Sequence, residues 1–213
     1  MSALDLTTYL VIDPEQCGGA AAMLMVAEQA IAGGVSIMQL RAPTYKKREW
    51  LAMARDLLPM CRAAQIPLLI NDHLDVALGA GADGVHVGQA DLPVGLCRQY
   101  LGPEAVIGLS TNRPEHFSDL ALMQASYVGI GPVFSTSTKL DAAPTLGIAG
   151  LEACLARSPL PAVAIGGIGL AQVSALAKTG AAGVAVVSAI CRATDPRQAA
   201  ADLKAAWVAG RAA

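Results

Sequence analysis

Eight short runs of β-branched and other apolar residues recur along the chain, each separated from the next by a longer segment, many of them rich in Ala and Leu. The runs are Tyr9–Ile12, Val35–Leu40, Pro67–Asn71, Gly84–Val87, Val106–Leu109, Tyr127–Gly131, Ala162–Ile165 and Gly183–Val187. Between them, Ala20–Ala32, Lys46–Ala64, Leu170–Ala177 and Asp195–Val208 read as helices. Strands alternating with helices require right-handed βαβ crossovers and a parallel sheet. A partial repeat sharpens this. Gly-Ala-Asp-Gly-Val-His-Val at 81–87 returns as Gly-Ala-Ala-Gly-Val-Ala-Val at 180–186, and looser copies begin at Gly33 and Ala125. These fall in the second, fourth, sixth and eighth strand slots. In each, a helix stops at a small residue and a strand follows at once, as a short αβ loop demands. Eight slots of roughly 27 residues predict an α/β chain folded as a single (β/α)8 TIM barrel over residues 1–213. A doubly wound open sheet is the alternative, and it explains the even-slot recurrence less well.

The composition agrees with that fold and excludes several functions. Of 213 residues, 54% are hydrophobic and only 15% charged, which suits strands buried on both faces and argues against disorder. A net charge of −2 leaves no basic footprint for nucleic acid. The uncharged stretch between Lys178 and Arg192 is 13 residues with two glycines, too short to cross a bilayer. The first residues lack the cationic and apolar regions of a signal peptide, so a cytoplasmic location is expected. The five cysteines are odd in number and never spaced C-x-x-C, so neither disulfides nor zinc are expected.

Barrel chemistry belongs at the carboxyl ends of the strands. There the chain places Gln39-Leu40-Arg41, Asn71-Asp72, Gln89 with Asp91, Ser110-Thr111-Asn112, Thr136-Ser137-Thr138-Lys139, Gly166-Gly167 and Ser188. Asp72 and Asp91 follow adjacent strands, and two such carboxylates suit Mg2+, which completes its shell with water and phosphate oxygens. Either one alone serves equally as a helix cap. Taken with Arg41 and Lys139, whose charges can hold phosphate oxygens, a metal–diphosphate site is the better account. The turn Gly166-Gly167-Ile168-Gly169 offers backbone N–H groups to a second phosphate, although glycines also serve simply as turn residues. His86 is mid-strand, where a hydrogen-bonded core histidine is favoured over a catalytic one. His73 lines the rim, and His116 is expected on the exposed side of a helix after Pro114.

Taken in order, Gln39-Leu40-Arg41, Ile70-Asn71-Asp72, the stretch His86-Val87-Gly88-Gln89-Ala90-Asp91, Gly108-Leu109-Ser110, Gly129-Ile130-Gly131-Pro132 and Thr136-Ser137-Thr138-Lys139 closely resemble the thiamine-phosphate synthase family, as does Ile165-Gly166-Gly167-Ile168. The resemblance runs from about Tyr9 to the C-terminus. It implies a transferase that joins an aminopyrimidine methyl diphosphate to a thiazole phosphate, free or carboxylated, and releases pyrophosphate. It further implies that Gln39 and Ser110 contact the pyrimidine and that Arg41, Asn71 and Lys139 hold its diphosphate. The same resemblance implies that Asp72 and Asp91 bind Mg2+ and that Thr136, Ser137, Thr138, Gly167, Val187 and Ser188 surround the thiazole phosphate. Arg41, Ser110 and Lys139 are thereby placed at the reacting centre. The implied partners are these small molecules, with no nucleic acid and no membrane; a homo-oligomer is left open.

The family pattern Gln-Leu-Arg-x-Lys is broken here, because Pro43 stands where the lysine is expected. Two other readings follow from the resemblance. A thiazole tautomerase of the same fold typically lacks the metal aspartates and carries a histidine after the fifth strand, where this chain has Ser110-Thr111-Asn112. A catalytically weak homologue that only binds thiamine phosphate or its precursors rests on the missing lysine alone.

Overall fold

Side-chain alternation along a strand decides what meets inside a closed sheet, and here it sorts the residues cleanly. The computed structural model describes residues 4–118, 124–136 and 144–212. Its strands are β1 (Thr8–Ile12), β2 (Ile37–Leu40), β3 (Leu68–Asn71), β4 (Gly84–Val87), β5 (Val106–Thr111), β6 (Tyr127–Ile130), β7 (Ala162–Ile165) and β8 (Gly183–Val186). Each pairs in parallel with the next, and β8 returns to β1 with Ala185 opposite Tyr9. The result is the expected (β/α)8 barrel, closed and therefore without an unpaired edge. Tyr9, Val11, Ile37, Leu69, Tyr127, Val163 and Ala185 form the inner cluster. Their neighbours one step along, such as Leu10, Ile12, Met38, Leu40, Leu68 and Ile70, pack outward against the helices. By the same parity Gln39, Asn71, His86 and Ser110 belong to the inner set.

The helices are α1 (Pro14–Cys17), α2 (Ala20–Ala32), α3 (Lys47–Ala63), α4 (Leu74–Ala80), α5 (Val94–Leu101), α6 (Gly147–Leu155), α7 (Leu170–Leu176), α8 (Ser188–Cys191) and α9 (Pro196–Ala212). In α3, buried Trp50, Met53, Ala54, Leu57, Leu58 and Cys61 recur at helical spacing and face the barrel. Its start is fixed by Glu49, whose carboxylate accepts the Lys46 N–H at 2.9 Å. Each large apolar side chain so buried contributes about 1.5–3 kcal/mol, and the layer between sheet and helices holds most of them. α9 packs against both α7 and α2 and so closes the helical ring.

The recurring glycine pair in the sequence has a structural reason. A Cβ on Gly84 would run into the Val106 backbone, and one on Gly183 into that of Leu6, so strand pairing at these two equivalent points admits only glycine.

Two features differ from expectation. The single turns α1 and α8 are additional; four residues carry no periodicity to detect, although Asp13 before Pro14 is an N-cap signal. The fifth slot holds a 3-10 turn at Pro114–Ser118 instead of an α-helix, and His116 there is half-buried, with its Nδ1 accepting the Asn112 N–H at 3.4 Å. All five cysteines are free, and Cys17 is the half-buried one, meeting the Cys191 thiol where α1 and α8 touch. Among the described residues no helix is long and apolar enough to cross a membrane.

Candidate active site

The carboxyl ends of the strands carry four groups of polar residues. On the first side lies an ion pair that sequence reasoning misses. Asp13, which follows β1 and is 2% exposed, accepts a hydrogen bond from Arg41 Nη1 at 3.1 Å. The guanidinium has five N–H donors in a planar fork, so this contact aims Arg41 and leaves its other donors for a ligand. Asp13 also accepts the Glu15 N–H at 3.0 Å and thereby caps α1.

Burial pushes the Asp13 carboxyl above its ordinary value, and the Arg41 charge opposes that rise. A raised folded-state value means that the folded protein holds this proton more tightly than the unfolded chain. The stability so conferred is complete below the ordinary carboxylate range and is lost as pH rises through the folded value. Wild type should therefore lose stability relative to Asp13→Asn as pH is raised from about 3 toward 7, in paired urea denaturation series. A pH-independent difference would contradict this.

Next to it are the aspartates. Asp72 directly follows β3, with its N–H donated to the His86 carbonyl at 2.9 Å and an unusual φ of 59°. Asp91 follows β4 and folds back so that its Oδ2 accepts the Gly88 N–H at 2.7 Å. Neither caps a helix: the residue before α4 is His73 and that before α5 is Pro93, both without a side-chain cap. The two carboxylates thus follow neighbouring strands at the same end of the barrel, and Asp91 is close enough to His73 to act on its charge. Among the described residues no group of three or more His, Cys, Asp or Glu has metal-binding spacing. Two carboxylates with an otherwise open shell fit a hard cation that keeps water and substrate oxygens, as Mg2+ does. Asn71 ends β3 half-buried beside them, its carbonyl accepting the His73 N–H at 2.7 Å. Lys47 is no substitute for the missing lysine, because its Nζ sits 2.7 Å from Asp75 on the outer helices.

On the opposite side a hollow of about 360 Å³ is lined by Ser135, Thr136, Gly167, Ile168, Gly169, Gln172, Ser188 and Ala189. It brings together three of the expected residues, Thr136, Gly167 and Ser188, with Val187 immediately before the last. Ser135 and Gln172 are new; Gln172 Oε1 accepts the Gly169 N–H at 3.0 Å and holds the glycine turn in shape. Gly167 has φ 64° and a Cβ there would strike the Phe134–Ser135 backbone, so no larger residue fits. Ser137, Thr138 and Lys139 lie outside the described residues.

Between the two sides, the floor is a buried chain of hydrogen bonds. Gln39 Nε2 donates to Tyr9 OH at 2.5 Å, Tyr9 OH meets Tyr127 OH at 2.7 Å, and Tyr127 OH meets His86 Nδ1 at 2.8 Å. His86 Nε2 meets Ser110 Oγ at 2.9 Å, while Gln89 Nε2 donates to the Ser110 carbonyl at 2.7 Å. The expectation of a hydrogen-bonded core histidine holds for His86. Sequence reasoning does not single out Tyr9 and Tyr127, although two phenols that each open an apolar run in a chain with 4% aromatics are a signal.

The family model described as thiamine monophosphate synthase matches residues 8–190. The chain belongs to that family. It is 55% identical over 195 residues to a thiamine-phosphate synthase of Laribacter hongkongensis, covering 91% of each. Against one of Xanthobacter autotrophicus it is 45% identical, covering 97% of this chain and 98% of the other. The solved thiamine phosphate pyrophosphorylase of Pyrococcus furiosus superposes with a TM-score of 0.87 at 29% identity over 98% of both chains. Family members thus share the whole barrel with this chain and not a fragment of it.

Proposed function

We propose that this protein is a thiamine-phosphate synthase, a single catalytic domain acting in the cytoplasm on two small molecules. One observation supports the reading beyond family membership: Arg41, Asp72 and Asp91 follow β2, β3 and β4, across the closed barrel from the hydroxyl- and glycine-lined hollow after β6, β7 and β8. Two anionic substrates need two such anchors with a reaction space between them.

The chemistry asks for little acid–base work. The amino group of the pyrimidine pushes electrons toward its methylene carbon, the carbon–oxygen bond to the diphosphate breaks, and the electron pair leaves with pyrophosphate. The thiazole nitrogen then bonds to that carbon and becomes the cationic nitrogen of thiamine phosphate. Asp72 and Asp91 would hold Mg2+, which when bound would supply charge neutralisation for the diphosphate. Arg41 and Lys139 donate to the same oxygens, and Asn71 adds an uncharged donor. Gln39 and Ser110 orient the pyrimidine ring. Thr136, Ser137, Thr138, Gly167, Val187 and Ser188 hold the thiazole phosphate, so that nitrogen and carbon are kept within bonding approach and water is kept out.

Purified protein incubated with both substrates and Mg2+ should release pyrophosphate and thiamine phosphate in equal amounts. Binding of precursors with no product at high enzyme concentration would favour the weak-homologue reading. Pro43→Lys restores the charge that the family pattern carries. A charge-assisted hydrogen bond is worth about 1.5–3 kcal/mol, so KM for the pyrimidine diphosphate should fall about tenfold or more. An unchanged KM in steady-state assays would show that other groups already neutralise that phosphate.

A further inference from the structure

The proton count along the buried floor has a direction. Gln39 Nε2 has only hydrogens to offer, so Tyr9 OH accepts there and must spend its single hydrogen on Tyr127. Tyr127 OH, having accepted, spends its own on His86 Nδ1. His86 Nδ1 is then an acceptor, its ring proton sits on Nε2, and that proton goes to Ser110 Oγ. Burial raises both phenols well above their ordinary values, so each keeps its hydrogen at neutral pH. The strands are cut away to make room for this arrangement. A Cβ on Gly108 would collide with His86 Nδ1 and the Tyr127 phenol, and one on Gly129 would come within 3.1 Å of His86 Cε1.

We infer that Tyr9, Tyr127 and His86 form a one-way hydrogen-bond relay that fixes Gln39 as an acceptor and Ser110 as a donor toward the mouth, and so selects an aminopyrimidine over its oxo counterpart. The relay's two ends are the two residues assigned to the pyrimidine, so the specificity rests on the functional reading above. An aminopyrimidine presents an amino donor beside a ring-nitrogen acceptor, which matches Gln39 Oε1 and the Ser110 hydroxyl. The oxo form presents a carbonyl acceptor beside an N–H donor, which opposes both. Reversing the relay would require a flipped Gln39 amide and a proton on His86 Nδ1, so the imidazole tautomer reports the direction. Tyr9, Tyr127 and His86 act through Gln39 and Ser110 and are positioning residues.

Two measurements test this. In ¹⁵N-histidine NMR of the wild-type protein, with His86 assigned by His86→Asn, the ring should appear as the Nε2–H tautomer. Tyr127→Phe removes the hydrogen that His86 Nδ1 accepts and should yield a tautomer mixture in a protein whose near-UV circular dichroism is unchanged. In titration calorimetry with the amino and oxo forms of the pyrimidine methyl monophosphate, wild type should prefer the amino form by about thirtyfold, the cost of mismatched buried donors and acceptors. Tyr127→Phe should shrink that preference to within about threefold. A wild-type Nδ1–H tautomer would overturn the direction of the relay. An intact preference in Tyr127→Phe would overturn its role in specificity. Failure of both pyrimidines to bind, with the Nε2–H tautomer in place, would sink the functional reading and the specificity while leaving the relay standing.

Discussion

Replacing Asp72 or Asp91 by asparagine is expected to cut synthase turnover at least about a hundredfold, because charge stabilisation of a leaving diphosphate by a bound cation is worth several kcal/mol. The carboxamide keeps the shape and one oxygen but loses the charge that draws a divalent ion. The two positions should differ in a second respect. Asp91 also accepts the Gly88 N–H at 2.7 Å, and the amide oxygen introduced by Asp91→Asn can still do so, whereas Asp91→Ala cannot and should be the less stable form. Steady-state turnover at saturating substrates, with Mg2+ affinity followed by calorimetry in the presence of pyrophosphate, checks the claim. Full activity in both asparagine variants would remove these residues from the reaction.

Gly108→Ala is expected to destabilise the protein strongly. The new Cβ would enter the space where His86 and Tyr127 meet, with no flexible chain end to move aside. Overpacking a filled core costs about 1–3 kcal/mol. Breaking the buried bond between these groups adds about 1–3 kcal/mol more. At about 2–4 °C per kcal/mol for a chain of this size, the midpoint of thermal unfolding should drop by roughly 5–20 °C. Differential scanning fluorimetry would detect it; a midpoint within about 2 °C of wild type would mean the floor can rearrange, contrary to its packing.

The barrel is legible in the sequence because its two signals are local. Short apolar runs and helices stopped at small residues repeat at short range, and the residues after each run name the mouth without any knowledge of contacts. Asp72, Asp91, Thr136, Gly167 and Ser188 all fall at the end where the structure puts them. What escapes is whatever depends on a partner far along the chain. Asp13 carries only the local signal of a cap for α1, and the approach of Arg41 from the next strand turns it into half of an ion pair. Tyr9 and Tyr127 are separated by 118 residues, and each alone looks like ordinary strand filling. His86 reads correctly as bonded, yet its partners lie on β5 and β6, and no spacing rule reaches them. The fifth slot misleads because Pro114 starts a helix in sequence terms and its turn tightens to 3-10 geometry instead.

The anchors divide along the chain. Asp13, Arg41, Asn71, Asp72 and Asp91 all precede the sixth strand, whereas every residue lining the hollow comes after it. On the roles proposed above, the first stretch serves the pyrimidine diphosphate and the second serves the thiazole phosphate, with Lys139 reaching across to the diphosphate; Tyr127 bonds back to Tyr9 and His86 between them. Inheritance can then revise one appetite without disturbing the other. Grafting the segment from Gly131 onward, with Lys139 retained, out of a relative that takes a different thiazole should transplant that preference, provided the tyrosine seam is carried over intact.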